Sequence, residues 1–211
     1  MPKKIDPEKE HLRLEKMKEY EYRYPDNILV CGVDEAGRGP LAGPVSAGAV
    51  ILPRDAEIFF LNDSKKLTEK KRDELYEQIK ECAIAWNVAT ADHETIDRIN
   101  ILQADYQAMR DAVQGLSVKP QVLFNDAVII PDLDIEQVKL IHGDALSVSI
   151  AAASIMAKVT RDRMMYQYDT LYPEYGFARN KGYGTADHIA AIKEFGACPI
   201  HRPSFIKKIV L

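Results

Sequence analysis

Four acidic residues stand where the chain could do chemistry: Asp34, Glu35, Asp126 and Asp144. Asp34 and Glu35 end a near-continuous apolar run, Ile28 to Val33, whose pattern suits a strand buried on both faces. Asp126 ends a second short apolar run, Gln121 to Asn125. Asp144 follows His142-Gly143 at the start of the strongest helical stretch, expected over 145–165. Adjacent carboxylates at a sheet rim are expensive to desolvate without donors or a cation, and a cation is the simplest resolution. With no His or Cys ligand evident beside them, hard oxygen donors select Mg²⁺ or Mn²⁺ rather than zinc. The bland uses are turn formation and helix capping, and an Asp at position 144 reads equally well as an N-cap. A helix N-terminus also stabilises an ionised carboxylate, as a metal ligand requires.

The elements that must position these groups are legible around them. After Glu35 come Gly37, Gly39 and Gly43 with Pro40 and Pro44, backbone that a ligand can approach closely. Val45 to Leu52 then returns as a hairpin partner. Residues 5–22 read as a charged, marginally amphipathic helix, and Pro25-Asp26-Asn27 breaks the chain before the first strand. Thr68 is a plausible N-cap for a helix to about Glu81 that buries Leu75 and Ile79. Residues 82–91 read as a strand, and 95–116 as one long helix or two short ones with Ile99, Leu102, Tyr106, Met109 and Val113 toward the core. Val138 to Ile141 reads as a further strand. From Tyr172 the chain is aromatic, glycine-rich and basic, a composition suited to sugars and phosphates, before a helix over 185–195 and the basic Lys207-Lys208.

Composition narrows the class. A chain of 211 residues, 46% hydrophobic and 28% charged, can bury a sizeable core as one domain with a small appendage. Three cysteines without metal-like spacing argue against disulfides or a zinc site and fit a reducing cytoplasm. No apolar run reaches membrane-spanning length, and the charged N-terminus has no signal-peptide core. The net charge of −4 is unusual for a nucleic-acid enzyme, but it is unevenly spread. Residues 158–211 carry nine basic against five acidic side chains, and residues 82–157 carry four against ten. The C-terminal quarter is therefore the candidate phosphate-facing surface.

The run Gly32-Val-Asp-Glu-Ala-Gly-Arg-Gly-Pro-Leu-Ala-Gly-Pro-Val45 resembles the signature of the type 2 ribonucleases H, specifically bacterial ribonuclease HII. Further blocks fit in order: Asn62-Asp-Ser-Lys-Lys-Leu67, Asn100-Ile-Leu102, Gly143 to Asp162, Lys181-Gly-Tyr-Gly-Thr185 and Arg202-x-Ser-Phe205. Ala127 departs from the pattern, which usually has Gly there. The resemblance implies an α/β, ribonuclease H-like fold: a five-stranded mixed sheet flanked by helices, with C-terminal helical elements. With the charged helical extension over 1–27 lying before it, the resemblance implies a catalytic domain over 28–170 and a basic substrate-contacting region over 171–211.

It also implies that Asp34, Glu35, Asp126 and Asp144 form one catalytic, metal-binding set for two Mg²⁺ or Mn²⁺ ions. Two such ions stabilise both the attacking and the leaving oxygen in phosphodiester hydrolysis, giving a 3′-hydroxyl and a 5′-phosphate. Backbone at Gly37-Arg38-Gly39 would meet a ribose 2′-hydroxyl, which tells RNA from DNA. Tyr183 would stack on the next sugar, and Lys65 and Arg202 would meet the backbone. The expected partners are RNA–DNA hybrids and duplex DNA carrying ribonucleotides, cut by a cytoplasmic monomer with no membrane contact. The alternatives are another two-metal nuclease of this fold, such as a junction resolvase, and a non-catalytic hybrid-binding module.

Overall fold

β-Branched and small residues build the central strand, β1 (Val30–Ala36), and its hairpin partner β2 (Val45–Ile51), both almost wholly buried. β3 (Ala85–Ala91), β4 (Val122–Asp126) and β5 (Glu136–Leu140) complete a sheet of order β3-β2-β1-β4-β5. β2 is antiparallel to β1 and β3, whereas β1, β4 and β5 run parallel, so the sheet is mixed as expected. This computed structural model describes residues 6–210; residues 1–5, which hold the charged opening of the chain and the first residue of the helix expected over 5–22, and residue 211 lie outside it.

The helices are α1 (Pro7–Met17), α2 (Glu69–Cys82), α3 (His93–Ile99), α4 (Ile101–Gln114), α5 (Gly143–Leu146), α6 (Val148–Leu171), α7 (Phe177–Asn180), α8 (Ala186–Phe195) and α9 (Pro203–Val210). Strand alternation divides them between two faces. Cys31, Val33, Ala47 and Ala49 pack on Ala104, Ala108 and Met109 of α4. The other face carries α6 and α2, with Val50 against Leu75, Ile79, Ala152 and Ile155. α6 lies unusually close to the sheet. A Cβ at Gly32 would sit 2.0 Å from the Ser149 carbonyl carbon, and one at Gly48 would sit 2.4 Å from the Ala153 carbonyl oxygen.

Several boundaries differ from expectation for local reasons. The N-terminal helix stops at Met17, and a single 3₁₀ turn at Glu21–Arg23 follows. The stretch 95–116 is split at Asn100, whose φ of 67° breaks the helix while its side chain accepts from Leu102 N and Gln103 N to start α4. That rotation leaves Leu102 39% exposed, so it is not core. The long helix begins at Val148, three residues after the expected start, and runs to Leu171, past the expected end. The C-terminal elements close over a separate cluster of Ala42, Met165, Tyr175, Phe177 and Ile192.

Candidate active site at the ends of the central strands

Asp34 and Glu35 lie inside β1, near its C-terminal end, rather than after it. Alternation turns Asp34 to the α6 face, with Asp126 of the neighbouring parallel strand on the same face, and turns Glu35 to the α4 face. Asp34 Oδ1 accepts from Glu35 N at 2.8 Å, and Asp126 Oδ1 accepts from Gly143 N at 2.8 Å. The second bond ties the end of β4 to α5, which carries Asp144 in its first turn. Asp144 is not the cap of the long helix. That role belongs to Ser147, whose side chain accepts from Ile150 N, so the Asp144 carboxylate is left for the site.

The carboxylates crowd one another. Burial, then Glu35 and Asp126, push the Asp34 carboxyl well above the usual carboxylate range. Burial, then Asp63 and Asp126, raise Asp144. Asp63 was not singled out from sequence. Its signal was its place two residues before Lys65, inside a block read only for its lysine. Burial alone would lower Lys65, yet Asp34, Asp63, Asp144 and Glu35 outweigh it and hold the ammonium charged among them. Lys65 thus belongs to the acidic centre as much as to any phosphate path.

Among the described residues, no three His, Cys, Asp or Glu side chains are already gathered around one point as a ligand cage. The donor chemistry nonetheless fits a hard divalent cation. All the available groups are carboxylates, and the like-charge repulsion that raises Asp34 and Asp144 is the kind an added cation relieves.

Beside the acids runs a cleft lined by Glu35, Gly37, Arg38, Gly39, Lys65, Lys158 and Tyr183. The 45% exposed Tyr183 ring faces Gly39, where a Cβ would stand 3.8 Å from Tyr183 Cε1. Lys158, which donates to Asp162 at 2.8 Å, is a cleft residue that sequence reading missed.

Arg202 requires a correction. Expected at a phosphate, it is 0% exposed and turned inward. Its Nε donates to Gly43 O at 2.9 Å, Nη1 to Arg38 O at 2.9 Å and Nη2 to Gly37 O at 2.7 Å. Arg161, not anticipated at all, completes the arrangement with Nε to Pro44 O at 2.8 Å, Nη1 to Lys181 O at 2.9 Å and Nη2 to Ala42 O at 3.2 Å. The loop's carbonyls point inward at its turns, where side-chain cations are the available donors. Gly37 is required where it stands: its φ is +97°, and a Cβ would lie 2.1 Å from Arg161 Nε.

Comparison with known proteins shows the family and the fold. A sequence model of the ribonuclease HII family matches residues 31–208. The chain is 60% identical over 200 residues to the ribonuclease HII of Lachnoclostridium phytofermentans, covering 95% of this chain and 79% of that protein. It is 51% identical over 213 residues to that of Clostridioides difficile, covering 100% and 84%. The crystal structure of ribonuclease H2 from Pyrococcus horikoshii OT3 superimposes with a TM-score of 0.71 at 28% identity, over 87% of this chain and 97% of that one.

Proposed function

The chain belongs to the ribonuclease HII family of metal-dependent endoribonucleases, and from that premise we propose that it incises duplex DNA 5′ of a single embedded ribonucleotide as well as cutting the RNA strand of RNA–DNA hybrids. The observation that carries this reading is one cleft shared by Glu35 of the acidic set, the Gly37-Arg38-Gly39 loop and Tyr183. Asp34, Glu35, Asp126 and Asp144 would hold two Mg²⁺ or Mn²⁺ ions, which when bound supply Lewis-acid stabilisation of the attacking water and the departing 3′ oxygen.

The chain's own residues do the rest. Gly37 and Gly39 let backbone approach the ribose, and the buried arginines hold that backbone still, so the 2′-hydroxyl meets fixed groups. Tyr183 presents an exposed ring to the following deoxyribose. Lys65 and Lys158 bring positive charge to the cleft, where a scissile phosphate would add negative charge. Residues 171–211 supply Tyr183 and form the substrate-contacting part of a monomer working in the cytoplasm. Among the described residues, no helix is long and apolar enough to cross a membrane.

The test uses labelled duplex DNA with one ribonucleotide, all-DNA duplex and a continuous hybrid, with and without Mn²⁺. We expect metal-dependent incision 5′ of the ribonucleotide and little cutting of all-DNA duplex. Asp34→Asn should remove several kcal/mol of transition-state stabilisation, a loss of roughly 10³-fold or more, in a folded protein. Tyr183→Phe should be milder than Tyr183→Ala on the single-ribonucleotide substrate. Cutting independent of ribonucleotides would instead identify a junction-resolving type of nuclease, and binding without cleavage a hybrid-binding module.

A further inference from the structure

Asp105 lies on the buried face of α4, among Ala104, Ala108, Met109 and Ala112, and is 0% exposed. Neither of its carboxyl oxygens has a hydrogen-bond partner among the described residues. A buried carboxyl group left in that condition is costly, and native structures keep such groups only where something else requires them. An alanine or serine would fill this helix face without the cost.

The requirement is visible at the cleft. Alternation along β1 puts Glu35 on the same side of the sheet as α4. Arg38 stands between the two acids, with Nε 3.5 Å from Asp105 Oδ2 and Nη1 3.5 Å from Glu35 Oε1. Its backbone is already fixed, since Arg202 holds its carbonyl. Only the side chain, 42% exposed, is free to move. The Glu35 contact is a long hydrogen bond and the Asp105 contact an ion-pair separation, so the two acids compete for one guanidinium.

We propose that Asp105 is a positioning residue for Arg38: its buried carboxyl group draws the guanidinium back along the cleft wall, fixing it for substrate and leaving Glu35 to the catalytic centre. The proposal rests on the reading of Arg38 as a substrate contact. A merely structural Asp105 would make its removal destabilising. A positioning Asp105 makes removal neutral or stabilising for the fold and harmful to substrate binding, because the desolvation penalty disappears together with the anchor.

The experiment is a double-mutant cycle on the full chain with Mg²⁺ and single-ribonucleotide duplex. The proteins are the parent, Asp105→Asn, Arg38→Ala and the double variant, with Asp105→Ser as a second neutral replacement. It is run at pH 9, above the value of about 8 to which burial and then Glu35 push the Asp105 carboxyl. We expect Asp105→Asn to raise KM about three- to tenfold with kcat within about twofold, and to leave Tm equal or higher. The double variant should be no worse than Arg38→Ala alone.

An independent readout is the Arg38 Nε–Hε resonance, which should shift toward that of a free arginine in Asp105→Asn. A resonance unchanged by either replacement of Asp105, or KM effects that multiply in the double variant, overturns the proposal. A resonance that moves while Arg38→Ala leaves KM untouched upholds the pair and refutes the substrate role of Arg38.

Discussion

Arg202 Nη2 donates to the Gly37 carbonyl at 2.7 Å, across 165 positions of sequence. The C-terminal helical region therefore reaches back and holds the glycine loop that follows the central strand. The same guanidinium also takes the carbonyls of Arg38 and Gly43.

Arg202→Ala should cost about 3 kcal/mol or more, since it leaves three acceptors without donors, two of them buried, at about 1–3 kcal/mol each, not fully additive. Arg202→Lys should recover little, because an ammonium cannot reproduce the planar fork. Denaturant unfolding reads the stability loss. The salt slope of substrate binding should be unchanged in any variant that still folds, because no phosphate contact is removed. A slope smaller by about one unit would restore the phosphate role.

The described part of the extension before β1 packs on the start of the long helix. Glu21 Oε1 accepts from Ser147 Oγ at 2.6 Å and from Ser149 N at 3.3 Å, bracing the start of α6. Leu14 and Met17 join the cluster with Val148, Ala151 and Ile155. Glu21→Ala should lower stability by about 1–2 kcal/mol through the lost cap contacts. Deleting residues 1–22 should lower stability further while leaving kcat close to that of the parent. Turnover per folded molecule, with folding followed by circular dichroism, checks this.

Ala127 holds φ at +54° immediately after Asp126, a left-handed conformation that favours glycine. Ala127→Gly should therefore stabilise the protein, by about 0.5–1 kcal/mol after allowing for the looser unfolded chain. A rise in Tm with unchanged kcat is expected. A fall would mean that the alanine methyl group contributes more than the strain costs.

His201 gives a pH dependence. Burial, then His188, push it down to about 4, while an unfolded-chain histidine titrates near 6.5. Between those values the unfolded state holds the extra proton. Stability from this group is complete above about pH 6.5 and falls on acidification by up to about 1.4 kcal/mol per pH unit. Unfolding of the parent and His201→Asn at pH 7.5 and pH 5 isolates the group, since the carboxylates contribute alike to both proteins. The stability gap should narrow at the lower pH.

Much of the site was legible because its signals are local. An apolar run that ends in acid fixes where Asp34 and Asp126 stand along their strands, and glycine with proline marks the loop. What was not legible depends on contacts far apart in sequence. Asp144 and Ser147 are both good caps by type, and only the fold shows that Ser147 takes the position. Arg161 and Arg202 look like ordinary cations until the inward carbonyls of residues 37–44 are placed against them. Asp105 sits at helical spacing with apolar neighbours and gives no sign of its unpartnered carboxyl. Leu102 failed for the opposite reason: its periodicity was sound, but Asn100 resets the helical phase just before it.

The absence of side chains at Gly32 and Gly48 has a consequence for how the enzyme can change. Helix and sheet meet there backbone to backbone, so their spacing is a fixed gauge rather than a packing average. Ser154, on the same helix, shares a hydrogen bond of 2.8 Å with the Ser64 hydroxyl, next to Lys65 of the acidic centre. One methyl group at position 32 would lift the whole helix and carry Ser154 with it. At these two positions a change as small as a single carbon becomes a displacement of the whole floor beneath the acids.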